Sequence, residues 1–394
     1  MNQIKRLITE NYSEGVPFKE LGELLDYEQP NKYLVKSASY DDSYDTPVLT
    51  AGETFFLGYT NETDGIYPAS QEKPLIIFDD FTTAFKWVTF PFKAKSSAMK
   101  LLKPRPNSNV SPRFIYFAMQ TIKFIPHYHA RHWISTYSKL SIAVPPLEIQ
   151  NKIVKILDTF TELEAELEAE LEARKKQYQY YRDKLLTFDE NTQRGGVKWT
   201  TLGEIGTFIR GTGINKSDFT ESGIGCIHYG QIHTHFGVWA KETKSYINPQ
   251  VASRLRKAKS GDLVIATTSE DDDAVAKAVA WIGVENVAIS TDAYIFQHSL
   301  NPKYLSYFFQ TEYFHKQKKP HITGTSVRRI SGKSLSKIPI NIPSNKEQER
   351  IVSILDKFDS LVNDLSIGLP AEIKARQQQY EYYRDKLLTF KEAA

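Results

Sequence analysis

Three groups of side chains in this 394-residue chain have types and spacings suited to binding chemistry. The first is His127-Tyr-His-Ala-Arg-His-Trp133, which sets His127, His129, Arg131 and His132 close together, with Lys86 upstream. The second is Ile227-His-Tyr-Gly-Gln-Ile-His-Thr234, offering His228, Tyr229, Gln231 and His233. The third contains Lys316, Lys318, Lys319, Thr325, Ser326, Arg328 and Arg329. Imidazole, amide and hydroxyl groups match the donors and acceptors on base edges, and lysine and arginine match phosphate. Pro126, Pro320 and Gly324 lead us to expect loops at 127–133 and 316–329. A further aligned pair is 49–59 with 227–234.

Other chemistries fit these residues less well. The trio His127, His129 and His132 has Arg131 in its midst and no cysteine or acid beside it, which argues against zinc. His228, His233 and His235 fare no better, and Glu270-Asp-Asp-Asp273 reads as a solvated loop rather than a cation site. Pro145-Pro146 lies between Val144 and Leu147, without the Asn or Asp and the aromatic of an adenine methyltransferase motif. Gly211-Thr-Gly213 lacks the third glycine of a cofactor loop. Glu372-Ile-Lys374 and Glu242-Thr-Lys244 are isolated echoes of a nuclease motif. A catalytic DNA methyltransferase or nuclease chain, and a coiled-coil scaffold without nucleic acid, are the alternatives to a DNA-binding protein.

The elements that must position these groups are written twice. Ala173–Phe188 reads ARKKQYQYYRDKLLTF and Ala375–Phe390 reads ARQQQYEYYRDKLLTF, differing at three of sixteen places. Ile153–Phe160 (IVKILDTF) returns as Ile351–Phe358 (IVSILDKF). Weaker copies link Val16–Leu24 with Val197–Ile205, Ser111–Thr121 with Asn301–Thr311, and Ser138–Pro145 with Ser336–Pro343. Between these copies the two halves share almost nothing, so matched frames carry unmatched surfaces. The expected fold is α+β, with two globular α/β domains, two long antiparallel helices forming a coiled coil, and a pseudo-twofold internal repeat. The expected division is a first domain at 1–146, a first spacer helix at 147–190, a second domain at 191–343 and a second helical region at 344–394.

In the first helix Ile153, Leu157, Phe160, Leu163, Leu167, Leu171, Tyr178, Tyr181 and Leu185 fall at steps of three, four or seven, which marks one apolar face. Its middle, Glu162 through Ala173, repeats Glu-Leu-Glu-Ala. The two copies are offset by 198 residues before this middle and 202 after it, so the second carries four extra residues. Gly368 and Pro370 should interrupt the second helix, with Pro370 in the first turn of a new one. Either stripe alone would face water. Antiparallel pairing buries both and is expected to set the globular domains at opposite ends.

Charge is sorted along the chain. Phe81–Leu147 contains ten Lys or Arg and no Asp or Glu, and eight Lys or Arg lie between Glu312 and Glu347 with no acid among them. The first helix collects the acids instead. Two basic stretches joined by an acidic rod point to two DNA-binding heads on a spacer. Cys226 is the only cysteine, and the N-terminal MNQIKRLITENY has no apolar signal core, so a cytoplasmic location is expected.

In combination and order, these features resemble the specificity subunit of type I restriction–modification systems. The resemblance rests on Pro145-Pro-Leu-Glu-Ile-Gln150, Ile153–Asp158, Ala173–Phe188 and their second copies. It rests also on Gly324-Thr-Ser-Val-Arg-Arg-Ile-Ser331 ahead of Leu335–Ile340. It covers essentially the whole chain. It implies a non-catalytic subunit whose two target-recognition domains each read half of a split DNA site. It implies docking of two adenine-N6 methyltransferase subunits and, in the full complex, two restriction/translocase subunits. It implies no cofactor on this chain, the partners using S-adenosylmethionine, ATP and Mg.

Overall fold

The computed structural model describes residues 15–52, 54–106, 108–127, 130–188 and 197–393; the N-terminal segment read above for a signal, and His129, lie outside them. The chain forms two compact units, Met1–Leu167 with Ile373–Ala394, and Glu168–Glu372. The head of unit 1 runs β1 (Phe18–Glu20), α1 (Leu21–Leu24), β2 (Leu25–Glu28), β3 (Thr46–Leu49), β4 (Phe56–Thr60) and β5 (Leu75–Asp79). It continues through β6 (Phe85–Val88), β7 (Lys93–Ala94), β8 (Met99–Pro104), α2 (Pro112–Met119) and β9 (Ser141–Ala143). Helix α3 (Leu147–Leu186) follows and passes from unit 1 into unit 2.

The head of unit 2 begins with β10 (Lys198–Thr201), α4 (Leu202–Ile205), β11 (Gly206–Arg210), β12 (Phe219–Thr220), β13 (Ile224–Ile227) and α5 (Tyr229–Thr234). Next come β14 (Trp239–Ala240), β15 (Ser245–Ile247), α6 (Pro249–Ala252), β16 (Lys257–Ala258), β17 (Leu263–Ala266) and β18 (Thr268–Ser269). Then β19 (Ala278–Trp281), β20 (Val287–Ile289), β21 (Ala293–His298), α7 (Pro302–Phe308) and α8 (Glu312–Lys318) lead to β22 (Arg328–Arg329). Helix α9 (Gly332–Leu335) and β23 (Pro339–Ile342) close the head, and α10 (Asn345–Asn363) and α11 (Leu369–Leu388) end the chain.

The two heads share one topology even where their sequences share nothing. One sheet has the order β2-β8-β5-β6 in unit 1 and β11-β21-β17-β19 in unit 2, where β14 extends it. The second sheet is β4-β3-β7 in unit 1, and β15-β13-β20 repeats it with β12 and β16 added outside. In both, the middle pair is parallel: Val48 opposite Lys93, and Cys226 opposite Ala288. Side-chain alternation makes each central strand serve two cores. Ile76 and Phe78 face Phe114, Phe117, Trp133 and Tyr137, while Leu75 and Ile77 face Leu49, Phe55 and Phe92. Leu263 and Ile265 face Leu305 and Phe308, while Val264 and Ala266 face Ile227, Ile232 and Ile289.

The frame around each head is copied bond for bond. Phe18 pairs with Ala143 and Trp199 with Asn341, and the Leu21 and Leu202 N–H groups donate to the Leu140 and Ile338 carbonyls at 2.9 and 3.0 Å. Ser111 and Asn301 cap α2 and α7, with proline at the next position of each. Gln150, fully buried, accepts from the Ser111 N–H at 2.8 Å and donates to the Pro145 carbonyl at 2.6 Å. Gln348 repeats this with the Asn301 N–H at 3.0 Å and the Pro343 carbonyl at 2.9 Å. The Arg113–Asp158 and Lys303–Asp356 ion pairs, both 2.7 Å, are likewise equivalent.

Within unit 1 the first half of α3 runs antiparallel to α11. Phe160 stacks on Tyr383 with ring centroids 5.4 Å apart, and Glu164 accepts from Gln377 at 2.6 Å. Within unit 2 the second half of α3 lies against α10, where Tyr181 stacks on Phe358 at 5.5 Å and Tyr178 hydrogen-bonds Asp359. The units therefore cut across the division into heads and spacers: each takes one head, half of α3 and a C-terminal helix. The second helical region breaks between Asn363 and Leu369. A Cβ on Gly368 would meet the Ser360 carbonyl at 2.4 Å, so a larger residue would force the break apart. In unit 1 the chain also closes on itself, the Val16 N–H donating to the Lys391 carbonyl and the Ala393 N–H to the Val16 carbonyl.

Among the described residues, no helix is long and apolar enough to cross a membrane. The buried glutamines are the joints between head and helix. Gln150→Leu leaves the Ser111 N–H and Pro145 carbonyl unpaired, and should destabilise unit 1 by about 2–4 kcal/mol. Hydrogen exchange of the full chain should then quicken in unit 1 while unit 2 keeps its protection; Gln348→Leu should give the reverse.

Candidate nucleic-acid interface

In unit 1, six strand ends lie together and carry four connections. Residues 50–52 and 54–55 lie between β3 and β4, 80–84 joins β5 to β6, 95–98 joins β7 to β8, and 130–133 lies between α2 and β9. Backbone bonds tie them: Lys95 N–H to the Leu49 carbonyl (2.8 Å), Asp80 N–H to Ala98 (3.1 Å) and His132 N–H to Asp80 (2.9 Å). Two buried carboxylates fasten this end. Asp79 accepts from Phe81 N–H at 3.0 Å and from the Thr82 hydroxyl at 2.6 Å, which shapes the 80–84 turn. Asp80 accepts from Trp133 N–H at 2.7 Å and pairs with Lys100 at 3.1 Å, both side chains 1% exposed. Left-handed backbone at Phe55 (φ 52°) and Thr83 (φ 60°) adds strain, about 1–3 kcal/mol per residue, at the same end.

The acid-free stretch is not a field of ten bare cations. Lys93, Lys100, Lys103, Arg105 and Arg113 pair with Glu62, Asp80, Glu28, Asp26 and Asp158, acids that lie outside the stretch in sequence. Lys86, Lys95, Lys123, Arg131 and Lys139 are exposed and make no ion pair with another described residue. Three of these five lie against rings: Lys86 6.0 Å from Phe55, Lys95 6.0 Å from Tyr40 and Arg131 5.9 Å from Phe81. A ring does not neutralise a cation, so these charges stay available to an anion.

Unit 2 builds its equivalent end from other residues. Thr267 stands where Asp80 does: its N–H donates to the Asp292 carbonyl and its carbonyl accepts from Ile330 N–H. Beyond it β18 pairs with β22, setting Thr268 opposite Arg329 and Ser269 opposite Arg328. The hairpin tip turns at Gly324 (φ 93°), where a Cβ would meet the Val327 carbonyl at 2.1 Å. Thr325, Ser326 and Arg329 are exposed there. Arg328 is anchored, pairing with Asp272 at 2.9 Å and donating to the Gly324 carbonyl at 2.6 Å. His233 bonds the Thr268 carbonyl at 2.9 Å, which brings the second candidate group to the same end. The segments 50–55 and 228–235 follow equivalent strands, β3 and β13.

Several candidate residues prove to be internal. His132 is buried, its ring bonding the His127 carbonyl at 3.2 Å and resting on Phe124. His127 and Arg131 stay exposed on the same loop. Lys318 is buried and donates to the Asp273 and Val275 carbonyls at 2.7 and 2.6 Å; burial lowers its pKa to about 8. His228 is buried as the cap of α5, accepting from Gly230 N–H, and Gln231 is taken up by the His228 N–H and the Ser245 hydroxyl. Tyr229 is half-buried, its N–H donating to the Ser290 hydroxyl. Lys316 and Lys319 are exposed, Lys316 pairing with Glu312 at 3.1 Å.

One loop expectation is corrected in part: of residues 316–329, 316–318 are the last turn of α8, which Thr311 caps and basic residues end. Residues 229–234 are helical too, capped by His228. The acidic run is not simply solvated either, since Asp272 holds Arg328 and the Asp273 carboxylate lies 3.8 Å from His315. The sequence reading of the site missed Phe81, Lys95 and Asp80. Its only signal was Asp79-Asp80 standing immediately before the acid-free stretch.

Burial pushes His315 down to about 4 despite Asp273 beside it. Between that value and its ordinary 6.5, the unfolded chain takes a proton that the folded chain refuses. Unit 2 should therefore lose stability as pH falls through this window. Denaturant unfolding at pH 7.5 and 5 should show that slope; burial pushes His298 of the same unit down to about 4 as well, so His315→Gln should reduce the slope and adding His298→Gln should reduce it further.

The arrangement offers two loop ends, each with exposed cations and hydrogen-bonding groups on a rigid frame. Comparison with known proteins gives the family. The family model described as "Type I restriction modification DNA specificity domain" matches residues 13–173 and again 196–375. The Escherichia coli type I restriction enzyme EcoR124I/EcoR124II specificity subunit is 42% identical over 408 aligned positions, 99% of this chain and 97% of that one. A putative type I restriction enzyme specificity subunit of Haemophilus influenzae is 34% identical, over 71% of this chain and 72% of that one. The fold is shared with the S subunit of the M. genitalium type I system (TM-score 0.55, 14% identity, 95% and 96% of the two chains). It is shared too with a chain from a type I restriction–modification assembly (TM-score 0.59, 16% identity, 95% and 97%). With a family match in both halves and a relative similar from end to end, the chain belongs to the type I restriction–modification DNA specificity family.

Proposed function

We propose that this chain is the sequence-reading, non-catalytic subunit of a type I restriction–modification enzyme, each head recognising one half of a bipartite duplex site. The observation that carries this reading is the pair of heads with one topology and one frame but unrelated loop ends. A shared frame suits a shared task, and unlike loops suit unlike base sequences. The frame also supports the partner reading. Two copies of one scaffold offer two like surfaces to two adenine-N6 methyltransferase subunits, with two restriction/translocase subunits joining the full complex. S-adenosylmethionine, ATP and Mg then belong to those partners, and the site of action is the cytoplasm.

The hairpin geometry supports different roles for its two arginines. Arg329, exposed, is the phosphate contact, and Arg328 is held by Asp272 and supports the hairpin. In the assembled methyltransferase, Arg329→Ala should weaken DNA binding and reduce the slope of log affinity against log salt by about one. An unchanged slope would take Arg329 out of the interface.

The helix supplies the second test. Deleting Glu166–Ala169 removes one Glu-Leu-Glu-Ala unit and leaves Leu163 followed four residues later by Leu171, so the apolar face stays in register. The helix shortens by about 6 Å. At about 3.4 Å per base pair, the unspecified gap should contract by one or at most two pairs while both half-sites persist. Methylation mapping decides it: an altered half-site, or an unchanged gap in an active enzyme, would show that α3 does not set the spacing.

A further inference from the structure

The loop end of unit 1 presents an aromatic ring in a way that solvent exposure alone does not explain. Phe81 is 40% exposed at the tip of the β5–β6 turn. The turn beneath it is over-determined. Both Asp79 carboxylate oxygens are used inside it, the Asp79 carbonyl accepts from Thr83 N–H at 2.9 Å, and the Asp79 N–H donates to Ala84 at 2.8 Å. Thr83, a β-branched residue, is held at φ 60°. The next residue, Asp80, ties the turn to the 127–133 loop, and Arg131 of that loop lies 5.9 Å from the Phe81 ring. Phe81 is thus a fixed apolar group beside an exposed guanidinium that makes no ion pair with another described residue.

The partner that complements such a pair is apolar and anionic within a few ångströms. Duplex DNA offers this combination in its major groove, where the thymine C5-methyl is the apolar group on the base edges and phosphates flank it. We propose that Phe81 is a specificity-determining residue that reads a thymine methyl in the half-site recognised by unit 1, with Arg131 on the adjoining backbone. The inference rests on the function proposed above and goes further, because it names the base feature that is read. The corresponding end of unit 2 presents Thr325, Ser326 and Arg329 with the aliphatic Val327 among them, and has no aromatic ring at its tip.

The test uses the assembled methyltransferase and oligoduplexes carrying its mapped target. Each thymine of both half-sites is replaced in turn by uracil, which removes the methyl and leaves base pairing intact. At one position in one half-site, uracil should weaken binding by about fourfold, the worth of one buried methyl. Phe81→Ala should bind thymine and uracil duplexes alike at that position, with discrimination in the other half-site unchanged. Arg131→Ala should keep the thymine–uracil difference and lower the salt slope instead. The inference is overturned if no uracil substitution affects the natural protein, or if Phe81→Ala keeps the fourfold difference. It is equally overturned if uracil is silent while 2-aminopurine beside the site reports unstacking that Phe81→Ala abolishes, since Phe81 would then be a wedge between base steps. A complex that binds its target but ignores uracil defeats this inference alone; one that does not bind its target defeats the proposed function.

Discussion

The structure depends on an exchange between the two copies of the helical repeat. Phe160 of the first ILDxF motif stacks on Tyr383 of the second YxYY motif, while Phe358 of the second ILDxF motif stacks on Tyr181 of the first YxYY motif. The interplanar angles, 25° and 24°, are nearly the same. In the first copy the two motifs lie along one run of helix, α3, and cannot fold back on each other; in the second they lie on α10 and α11, on either side of the break. Each unit is completed by sequence from the opposite half of the chain. Both motifs are therefore held nearly identical, and the four-residue difference between the copies falls between them, where the exchange is not disturbed.

On that frame the head is free to vary, within limits set by polar satisfaction. Gln150 and Gln348 make the same two bonds at the same joint, and Arg113–Asp158 is replaced by Lys303–Asp356 without loss of geometry. Below the loop ends the solutions diverge. Unit 1 buries the Asp80–Lys100 pair where unit 2 uses Thr267. A buried ion pair costs desolvation and seldom adds stability, but removing either partner strands a charge. Its use here fits the task of holding one loop in one place. Unit 2 does comparable work with Lys318, whose ammonium gathers the carbonyls of Asp273 and Val275 next to Asp272, the partner of Arg328.

The frame was legible in the sequence because the repeat displays it directly. The helices, the β1–β9 and β10–β23 pairings and the interruption near Gly368 all lie on repeated or punctuated residues. The shared topology of the two sheets was not legible, since strands such as Leu75–Asp79 and Leu263–Ala266 need only alternate between two cores and have no residue in common to announce it. The candidate residues were chosen by type, which carries no record of exposure. His132 and Lys318 have the chemistry of readers, yet both are spent inside the protein. Their partners are backbone carbonyls, which leave no trace in a side-chain pattern.

Charge shows the same limit more sharply. An acid-free stretch of sequence became a strand-rich region in which distant acids, from Asp26 to Asp158, approach half of its cations. What stays exposed and unneutralised is the remainder that packing did not pair, and three of its five cations lie near aromatic rings. A cation fixed by a carboxylate would have to give up that partner to meet phosphate, and the exchange would gain little. A cation fixed by a ring loses nothing when phosphate arrives. Rings alone do not mark this set, since the paired Lys100, Lys103 and Arg113 lie over rings as well; what distinguishes Lys86, Lys95 and Arg131 is a ring contact with no carboxylate of another described residue beside it.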